Sequence, residues 1–270
     1  MAPDEELETG YRPSTPPGDN LCRDYNEGLV TGYTSLAEAR GDRVQIDGRL
    51  ALTDRSSPSL FANLAVVRLP LRHDGWEAAA ARMHAFYGGR TGGPFLVLSA
   101  WPTPDLAALG FDLVGHPPLM LRPVAPLAAA SVPGLEIRPV TDAASAHHWE
   151  QAVVGGFPLR ELAPATPGCL LPAAAIGARS WRHWVAYLDG RPVGTASAVV
   201  GDHHVDVEFV ATLEDARGRG VGRALTVTAT VAEPSLPALL LASDAGRPVY
   251  ERLGYLPLLR YTLWAGRRRP

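Results

Sequence analysis

The sequence predicts a mixed α/β fold built as two similar domains in tandem. The chain has 270 residues, which suits one or two domains at about 100–200 residues each. Apolar residues make up 46% of the chain and charged residues 20%, which is typical of a folded globular protein. Two blocks of strand-like and helix-like patterns end alike, since residues 106–111 correspond to residues 249–255. Each of these segments predicts a short helix between two apolar strands, so a whole domain is repeated at a period of about 140 residues.

The first block begins after a predicted flexible tail at residues 1–18, which contains four prolines and four acids. The elements predicted after it follow from apolar spacing, turn residues and caps. In chain order they are a helix at Asn20–Arg40, strands at Arg43–Leu52 and Phe61–Leu69, a helix at Trp76–Phe86, a strand at Phe95–Ala100, a short helix from Thr103, and a last strand at Leu113–Leu121.

A proline- and alanine-rich linker at residues 123–134 separates this block, residues 19–122, from the second, residues 135–270. The second block is predicted by the same signals. In chain order it contains a strand at Leu135–Val140, a helix capped by Thr141 or Asp142 and running to Val154, a loop at Pro158–Ala178, strands at Trp184–Leu188, Val193–Val200 and Val205–Ala211, a helix at Val221–Glu233, a strand at Ala238–Ala242, a helix at Pro248–Leu253 and a strand at Leu256–Trp264.

Composition excludes several function classes. The chain contains no lysine, so a Gly-Lys-Ser/Thr phosphate loop and a Schiff-base lysine are both impossible. A net charge of -3 gives no general attraction to nucleic acid or acidic membranes. Cys22 and Cys169 are predicted to be reduced thiols. No apolar stretch reaches about 18 residues, so no membrane-spanning helix is predicted. The arginine-only basic set and the abundance of alanine indicate a GC-rich, actinobacterial source, and the acidic N-terminus favours a cytoplasmic location.

A loop rich in glycine and arginine is the strongest functional signal. It spans residues 217–223, Arg-Gly-Arg-Gly-Val-Gly-Arg, between a predicted strand and a predicted helix. Glycines let backbone N–H groups approach an anion closely, and the first turn of a helix has unpaired N–H groups and a partial positive charge. The spacing differs from the dinucleotide fingerprint G-x-G-x-x-G. The loop therefore predicts a phosphate site of another kind, the alternative being a solvated arginine turn.

This loop resembles the acetyl-CoA loop of the GCN5-related N-acetyltransferase (GNAT) superfamily. Arg217, Gly220 and Gly222 match the family pattern, and residues 250–255 are similar to the family's final motif of two aromatics around Leu-Gly. The resemblance implies two GNAT-like domains in tandem, each a splayed mixed sheet flanked by helices. Because the first block lacks a comparable glycine pattern between Arg68 and Trp76, it resembles a degenerate copy, whereas the second resembles a catalytic domain.

The resemblance implies that acetyl-CoA, a cosubstrate, lies where strand 205–211 splays from strand 238–242. Backbone groups at the end of the first strand would pair with the pantetheine arm, and loop amides would hold the pyrophosphate. Ser243 stands where the family often has asparagine, and Thr212 and Glu214 replace its common valine and proline. The implied cofactor-binding residues are Val210, Ala211, Thr212, Arg217, Gly218, Arg219, Gly220, Val221, Gly222, Arg223, Ala224 and Ser243.

The resemblance also implies direct attack of an acceptor amine on the thioester. Tyr250 matches the tyrosine that protonates the leaving thiolate, with core packing as the alternative, and the Val210 N–H would stabilise the oxyanion. Asp206 and Glu208 share one strand face and are candidate bases, although positioning roles or a water base stay open. Adjacent histidine pairs at 147–148 and 203–204 do not suit one metal ion, so no metal is expected.

The acceptor stays open. A small-molecule or peptide amine is expected, with no nucleic-acid or membrane partner, in a monomer or homodimer. One alternative is a tandem acyltransferase of thiol or specialised metabolism, similar to mycothiol synthase. Another is a non-catalytic acyl-CoA-binding sensor or scaffold, because a fold does not fix its function.

Overall fold

Two mixed β-sheets flanked by helices form the architecture of this chain, which we describe from a computed structural model. The structure describes residues 21–268 except Arg90, Pro158 and Arg179, so the tail predicted at residues 1–18 lies outside the described residues. Each sheet combines antiparallel pairs with one parallel pair. The predicted mixed α/β fold class is confirmed.

The described residues of the N-terminal half, 21–122 without Arg90, contribute two α-helices and six strands. In chain order these are α1 (Leu21–Arg40), β1 (Arg43–Ile46), β2 (Leu50–Asp54), β3 (Asn63–Val67), α2 (Gly75–Tyr87), β4 (Phe95–Ser99), β5 (Phe111–Gly115) and β6 (Pro118–Arg122). The predicted first strand is a hairpin, because the Asp47 carboxylate accepts the amides of Arg49 and Leu50 in a turn between β1 and β2.

In the C-terminal half, the residues that the structure describes, 135–268 without Pro158 and Arg179, contribute three α-helices and seven strands. In chain order these are β7 (Leu135–Pro139), α3 (Ala143–Gly156), β8 (Trp181–Leu188), β9 (Arg191–Val200), β10 (Val205–Thr212), α4 (Val221–Thr230), β11 (Ala238–Leu241), α5 (Arg247–Arg252), β12 (Leu256–Arg260) and β13 (Thr262–Gly266). Asp142 caps α3, since its carboxylate accepts the Ser145 amide.

The two sheets exchange their last strands. The first sheet has the order β1-β2-β3-β4-β13-β5, and the second has the order β12-β6-β11-β10-β9-β8-β7. Strand β13 pairs with β4 and β5 of the N-terminal half, whereas β6 pairs with β11 and β12 of the C-terminal half. Apart from this exchange, the extra strand β7, and helix α5, whose counterpart is a single 3-10 turn at Ala107–Leu109, the two halves run through the same order of helices and strands.

This exchange corrects two of the predicted strands. Leu113–Leu121 is not one strand, because the chain leaves the first sheet after Gly115 and enters the second at Pro118. The predicted strand Leu256–Trp264 is likewise divided between β12 and β13. The two crossing points lie side by side, since the Tyr261 amide donates to the Pro117 carbonyl at 3.0 Å.

The helix predicted from Thr103 does not form as an α-helix. Only one 3-10 turn forms there, at Ala107–Leu109. The Thr103 hydroxyl accepts a hydrogen bond from the indole of Trp264 on β13 at 3.1 Å. Thr103 therefore holds the exchanged strand and does not cap a helix.

Helix α1 joins the two halves. Tyr25, Leu29 and Tyr33 are buried on it in one apolar cluster with Leu98 of the first sheet and Leu239 of the second. The carbonyl of Gly32 accepts a hydrogen bond from the buried indole of Trp181 at 2.9 Å. At the same helix, the Tyr261 hydroxyl donates to Asn26 at 2.8 Å. The side of α1 that faces the second sheet thus forms part of the wall of a cleft in that sheet.

Candidate active site

The centre of the second sheet opens into a cleft between β10 and β11. The two strands pair in parallel only at Val205 with Ala238 and at Asp206 with Leu239, although β10 continues to Thr212. The register of β10 also shifts after Glu208, and Phe209 adopts a positive φ of 50°. A bulge bends a strand. Past Asp206, the edge of β10 that faces β11 therefore has backbone groups open to a ligand.

The equivalent strands of the N-terminal half do not open. Strands β3 and β4 pair in parallel at four positions, from Leu64 with Leu96 to Val67 with Ser99. Within the described residues these two strands enclose no cleft, and the open strand edge beside a glycine loop lies in the second sheet.

A cavity of about 350 Å³ occupies the cleft. Both halves line it, and most of the lining is apolar. The N-terminal half contributes Tyr25, Leu29, Tyr33, Phe61, Leu64, Leu96, Leu98 and Pro117, whereas the C-terminal half contributes Val153, Phe157, Leu159, Val207, Glu208, Phe209, Val210, Leu241, Ala242, Ser243, Tyr250 and Leu263. Among the described residues of this lining, Glu208 is the only one with a carboxylate or a basic group.

The glycine loop forms a cradle of unpaired amides at the start of α4. Gly218 and Gly220 have positive φ values of 74° and 85°, which the missing Cβ permits. Ala224 is the first residue of α4 whose amide is bonded, to the Gly220 carbonyl, and no side chain caps the helix. Among the described residues, no acceptor takes the amides from Gly218 to Arg223. Such a row of donors at a helix N-terminus fits an anionic pyrophosphate.

The three arginines of the loop differ in what they contact. Arg217 donates to the Thr212 carbonyl at 3.2 Å and to the Gly156 carbonyl at 3.0 Å, so its side chain ties the loop to β10 and α3. Arg219 and Arg223 are exposed, with their cationic ends free to attract phosphate. The predicted positions Val221 and Ala224 are buried, so they are placed to contribute backbone groups and not side chains. Ala211 is buried as well.

Glu208 differs sharply from Asp206, although both lie on the face of β10 that meets α1. The Tyr25 hydroxyl donates to Glu208 Oε1 at 3.0 Å, and Glu208 lines the cavity. Burial and then the charge of Asp206 raise the pKa of Glu208 to about 8, against a smaller lowering by Tyr25. A carboxyl group with such a pKa can take up a proton near neutral pH.

Asp206 lies behind the cavity and does not line it. Its side chain is fully buried, with Oδ1 2.8 Å from Nε2 of His204. Burial raises the pKa of Asp206 to about 6 although His204 opposes the shift. A Cβ on Gly28 of α1 would come within 2.0 Å of Asp206 Oδ2, so this glycine makes room for the buried pair.

Tyr250 and Ser243 lie across the cleft from β10. Tyr250 is 8% exposed, lines the cavity, and has its pKa raised to about 12 by burial and then by Glu208. Its hydroxyl is therefore protonated at neutral pH and able to donate. Ser243 is exposed, and its hydroxyl accepts the Gly246 amide at 3.2 Å at the start of α5.

Sequence reasoning missed Tyr25 and Tyr33. The helical spacing of α1 indicated that both were buried, but nothing local indicated that they would meet a strand about 180 residues away. Tyr33 lines the cavity and packs edge-on against Trp181. Both tyrosines are contributed by the half that lacks a glycine loop.

Residues 179–257 match the family model of the acetyltransferase (GNAT) domain. The matched region includes β10, the glycine loop, α4 and Tyr250. A comparison with curated proteins found no match.

Solved structures share the fold over almost the whole chain. A GCN5-related N-acetyltransferase from Kribbella flavida has a TM-score of 0.66 at 20% identity, covering 91% of this chain and 95% of that one. A putative GNAT-family acetyltransferase from Novosphingobium aromaticivorans has a TM-score of 0.54 at 17% identity, covering 89% and 97%. A GCN5-related N-acetyltransferase from Sphaerobacter thermophilus has a TM-score of 0.54 at 15% identity, covering 92% and 94%. The fold of both halves together is thus GNAT-like.

Two further features concern only the part of the chain that the structure describes. None of its helices is long and apolar enough to cross a membrane. No group of three or more His, Cys, Asp or Glu side chains within it is placed to hold a metal ion.

Proposed function

We propose that this chain transfers an acetyl group from acetyl-CoA to an amine, with both substrates bound together. The observation that supports this most strongly is the continuity of the site. The unpaired amides at residues 218–223, the open edge of β10 and the cavity beside Glu208 follow one another along the cleft. Pyrophosphate, pantetheine arm and acceptor would occupy these three parts in that order.

Acetyl-CoA would supply the acetyl group as an activated thioester. The loop amides of Gly218 to Arg223 would bind its pyrophosphate, with Arg219 and Arg223 adding charge. The backbone of Val210 and Thr212 would pair with the pantetheine arm, and the Val210 N–H would stabilise negative charge on the reacting carbonyl oxygen. Arg217 would act by holding the loop in place, as its hydrogen bonds to two backbone carbonyls suggest.

Glu208 is the better candidate base. The new N–C bond forms as the C–S bond breaks, so a proton leaves the amine and the thiolate needs one. Glu208 lines the cavity and would take the first proton, whereas Tyr250 would donate the second. Asp206 would act through Glu208 and α1, because its carboxyl lies behind the cavity wall.

The N-terminal half would bind no coenzyme A. Its parallel strands β3 and β4 are paired throughout, and the sequence between Arg68 and Trp76 lacks a glycine loop. Its role in this proposal is to shape the acceptor end of the cavity with residues such as Tyr25, Tyr33 and Phe61.

Calorimetric titration of acetyl-CoA tests the proposal. Wild type should bind at micromolar level, about -8 kcal/mol. Gly220→Glu should abolish binding, because it puts a side chain and a negative charge into the amide cradle. Gly89→Glu is the matched control, since Gly89 has a positive φ of 63° and open space around its Cβ position, outside the cleft. Failure of folded wild type to bind would sink the proposal. Binding without turnover of a broad amine panel would favour a sensor.

A further inference from the structure

A second cavity, of about 450 Å³, lies where the two halves meet at the end of α1. It shares no lining residue with the acceptor cavity. The end of α1, the loop after β2 and the long loop between α3 and β8 form its walls. The polar side chains among its lining residues include Arg40, Arg55, Ser56, Ser57, Glu161 and Cys169.

Arg55 is a buried cation without a complete set of acceptors. Its residue exposure is 5%, yet it lines the cavity. Of its guanidinium, Nη2 donates to the Leu170 carbonyl, whereas Nε has no acceptor among the described residues. Burying a charged donor without a partner costs free energy, so such groups are normally paired.

The carboxylate nearest to Arg55 is shared with a second arginine. Asp42 is nearest, but its Oδ2 is 3.0 Å from Nε of Arg40 and 4.0 Å from Nε of Arg55, so two cations share one carboxylate. The buried Glu150 accepts the backbone amides of residues 168, 170 and 171.

Two other side chains that line the cavity could carry a negative charge, Glu161 and Cys169. Glu161 is exposed at the rim. Burial and then Glu150 raise the pKa of Cys169 to about 11, so its thiol is neutral. Among the described residues that line the cavity, the two cations Arg40 and Arg55 are therefore accompanied by one carboxylate, Glu161.

We propose that this cavity binds an oxyanion, a carboxylate or phosphate group, through Arg55 and Arg40. The planar guanidinium presents paired N–H donors that match the two oxygens of such a group. Because Nε of Arg55 is itself buried, an oxyanion in the cavity would be bound by the other guanidinium nitrogens of Arg55 and by Arg40, and it would add a counter-charge to the Asp42 carboxylate that the two arginines share. The Ser57 hydroxyl, which already accepts the Ser59 amide, lies in the same wall.

The oxyanion has two possible sources. It is either an anionic end of the amine acceptor or a separate small anion. The first source rests on the proposed acetyl transfer, whereas the site itself does not.

Anion titration tests the site without any acetyl transfer. Sodium phosphate and sodium acetate are titrated into the full chain by calorimetry, against sodium chloride at equal ionic strength. Wild type should bind one of the two oxyanions at a site that Gly220→Glu leaves unchanged, which distinguishes this site from the amide cradle at residues 218–223. Arg40→Gln should weaken binding about tenfold or more, because it removes one of the two charged donors. Arg72→Gln should bind as wild type, since the Arg72 side chain is 88% exposed and pairs with Asp74.

Arg55→Gln should weaken binding further, and Arg40→Gln keeps the test valid if that variant fails to fold. The two cysteines give a readout on wild type alone. Bound phosphate or acetate should slow alkylation of Cys169, which lines the cavity, and leave Cys22 unchanged. No oxyanion binding by folded wild type, equal binding by Arg40→Gln, or unprotected Cys169 at saturation would each overturn the proposal.

Once an amine substrate is known, steady-state kinetics distinguish an anionic group of the acceptor from a separate small anion. If the oxyanion belongs to the acceptor, Arg40→Gln raises KM for carboxylated amines and leaves KM for their uncharged analogues unchanged. If it is a separate anion, KM for both kinds of amine is unchanged, while phosphate still raises Tm of wild type.

Discussion

Protonation of Glu208 should set the pH dependence of turnover. Its pKa of about 8 leaves the carboxyl mostly protonated at pH 7 and mostly ionised at pH 9. If ionised Glu208 takes the proton of the acceptor amine, kcat/KM rises about tenfold between pH 7 and pH 9, because the ionised fraction rises from about 0.09 to about 0.91. The assay is release of coenzyme A thiol with a saturating acetyl donor and any amine found to turn over.

Three variants make this reasoning refutable. Glu208→Gln should lower kcat/KM and abolish its rise between pH 7 and pH 9, which is the pH-dependent limb of the profile. Tyr25→Phe removes a hydrogen bond that lowers the pKa of Glu208, so the limb should move to higher pH. Asp206→Asn removes a charge that raises this pKa, so the limb should move to lower pH. Shifts in the same direction in the last two variants, or no limb in wild type, would refute Glu208 as the base.

Two controls exclude other origins of the limb. The first control uses acceptors whose amines differ in pKa. If the limb reflects titration of the enzyme, its midpoint stays near pH 8 with every acceptor, whereas titration of the substrate would move the midpoint with the pKa of the amine. Folding stability gives an independent check on Glu208. Since its folded pKa lies above the ordinary value of 4.5, its contribution to the free energy of unfolding is full below about pH 4.5 and is lost as the pH rises through about 8. This decline should be absent from Glu208→Gln.

Four further changes have expected outcomes. Gly220→Ala should weaken acetyl-CoA binding in calorimetry more than Gly218→Ala, because both positions have positive φ but only a Cβ on Gly220 has a close neighbour, Val132 Cγ2 at 3.1 Å. Tyr250→Phe should lower kcat about a hundredfold with unchanged Kd for acetyl-CoA, as expected of a proton donor. Gly28→Ala should cost about 1–3 kcal/mol in urea unfolding, since overpacking against the buried carboxylate beside it outweighs the usual helix gain. Removal of β13 and the residues after it should lower the Tm, and the remaining chain should still unfold in one calorimetric transition. Two separate transitions would contradict the idea that the exchanged strands make the two halves unfold together.

The glycine loop and the strand before it could be predicted because their signals are local. Positive φ at Gly218 and Gly220 requires glycine, and the apolar run of β10 predicts a buried strand. Alternation along that strand also placed Asp206 and Glu208 on one face, which α1 covers. These features depend on residues close in sequence.

The remaining features depend on contacts between distant segments. The raised pKa of Glu208 reflects burial under Tyr25, 183 residues away along the chain. Nothing in the residues around Arg55 indicates that it is buried against Leu170 of the other half. Apolar strands such as β6 and β13 satisfy either sheet equally well by composition, so periodicity could not predict the exchange.

The strand exchange determines which parts of the chain form the cleft. β11 is one wall of the cleft, and β6 of the N-terminal half pairs along all four of its residues, from Ala238 to Leu241, on the side away from β10. Because β6 holds β11 in place, the divergence of β11 from β10 depends on a strand that the C-terminal half does not encode. The N-terminal half also supplies Tyr25, which bonds to Glu208. A C-terminal half isolated at residue 135 would therefore lose one support of the cleft and the partner of the proposed base, even though it retains the whole glycine loop.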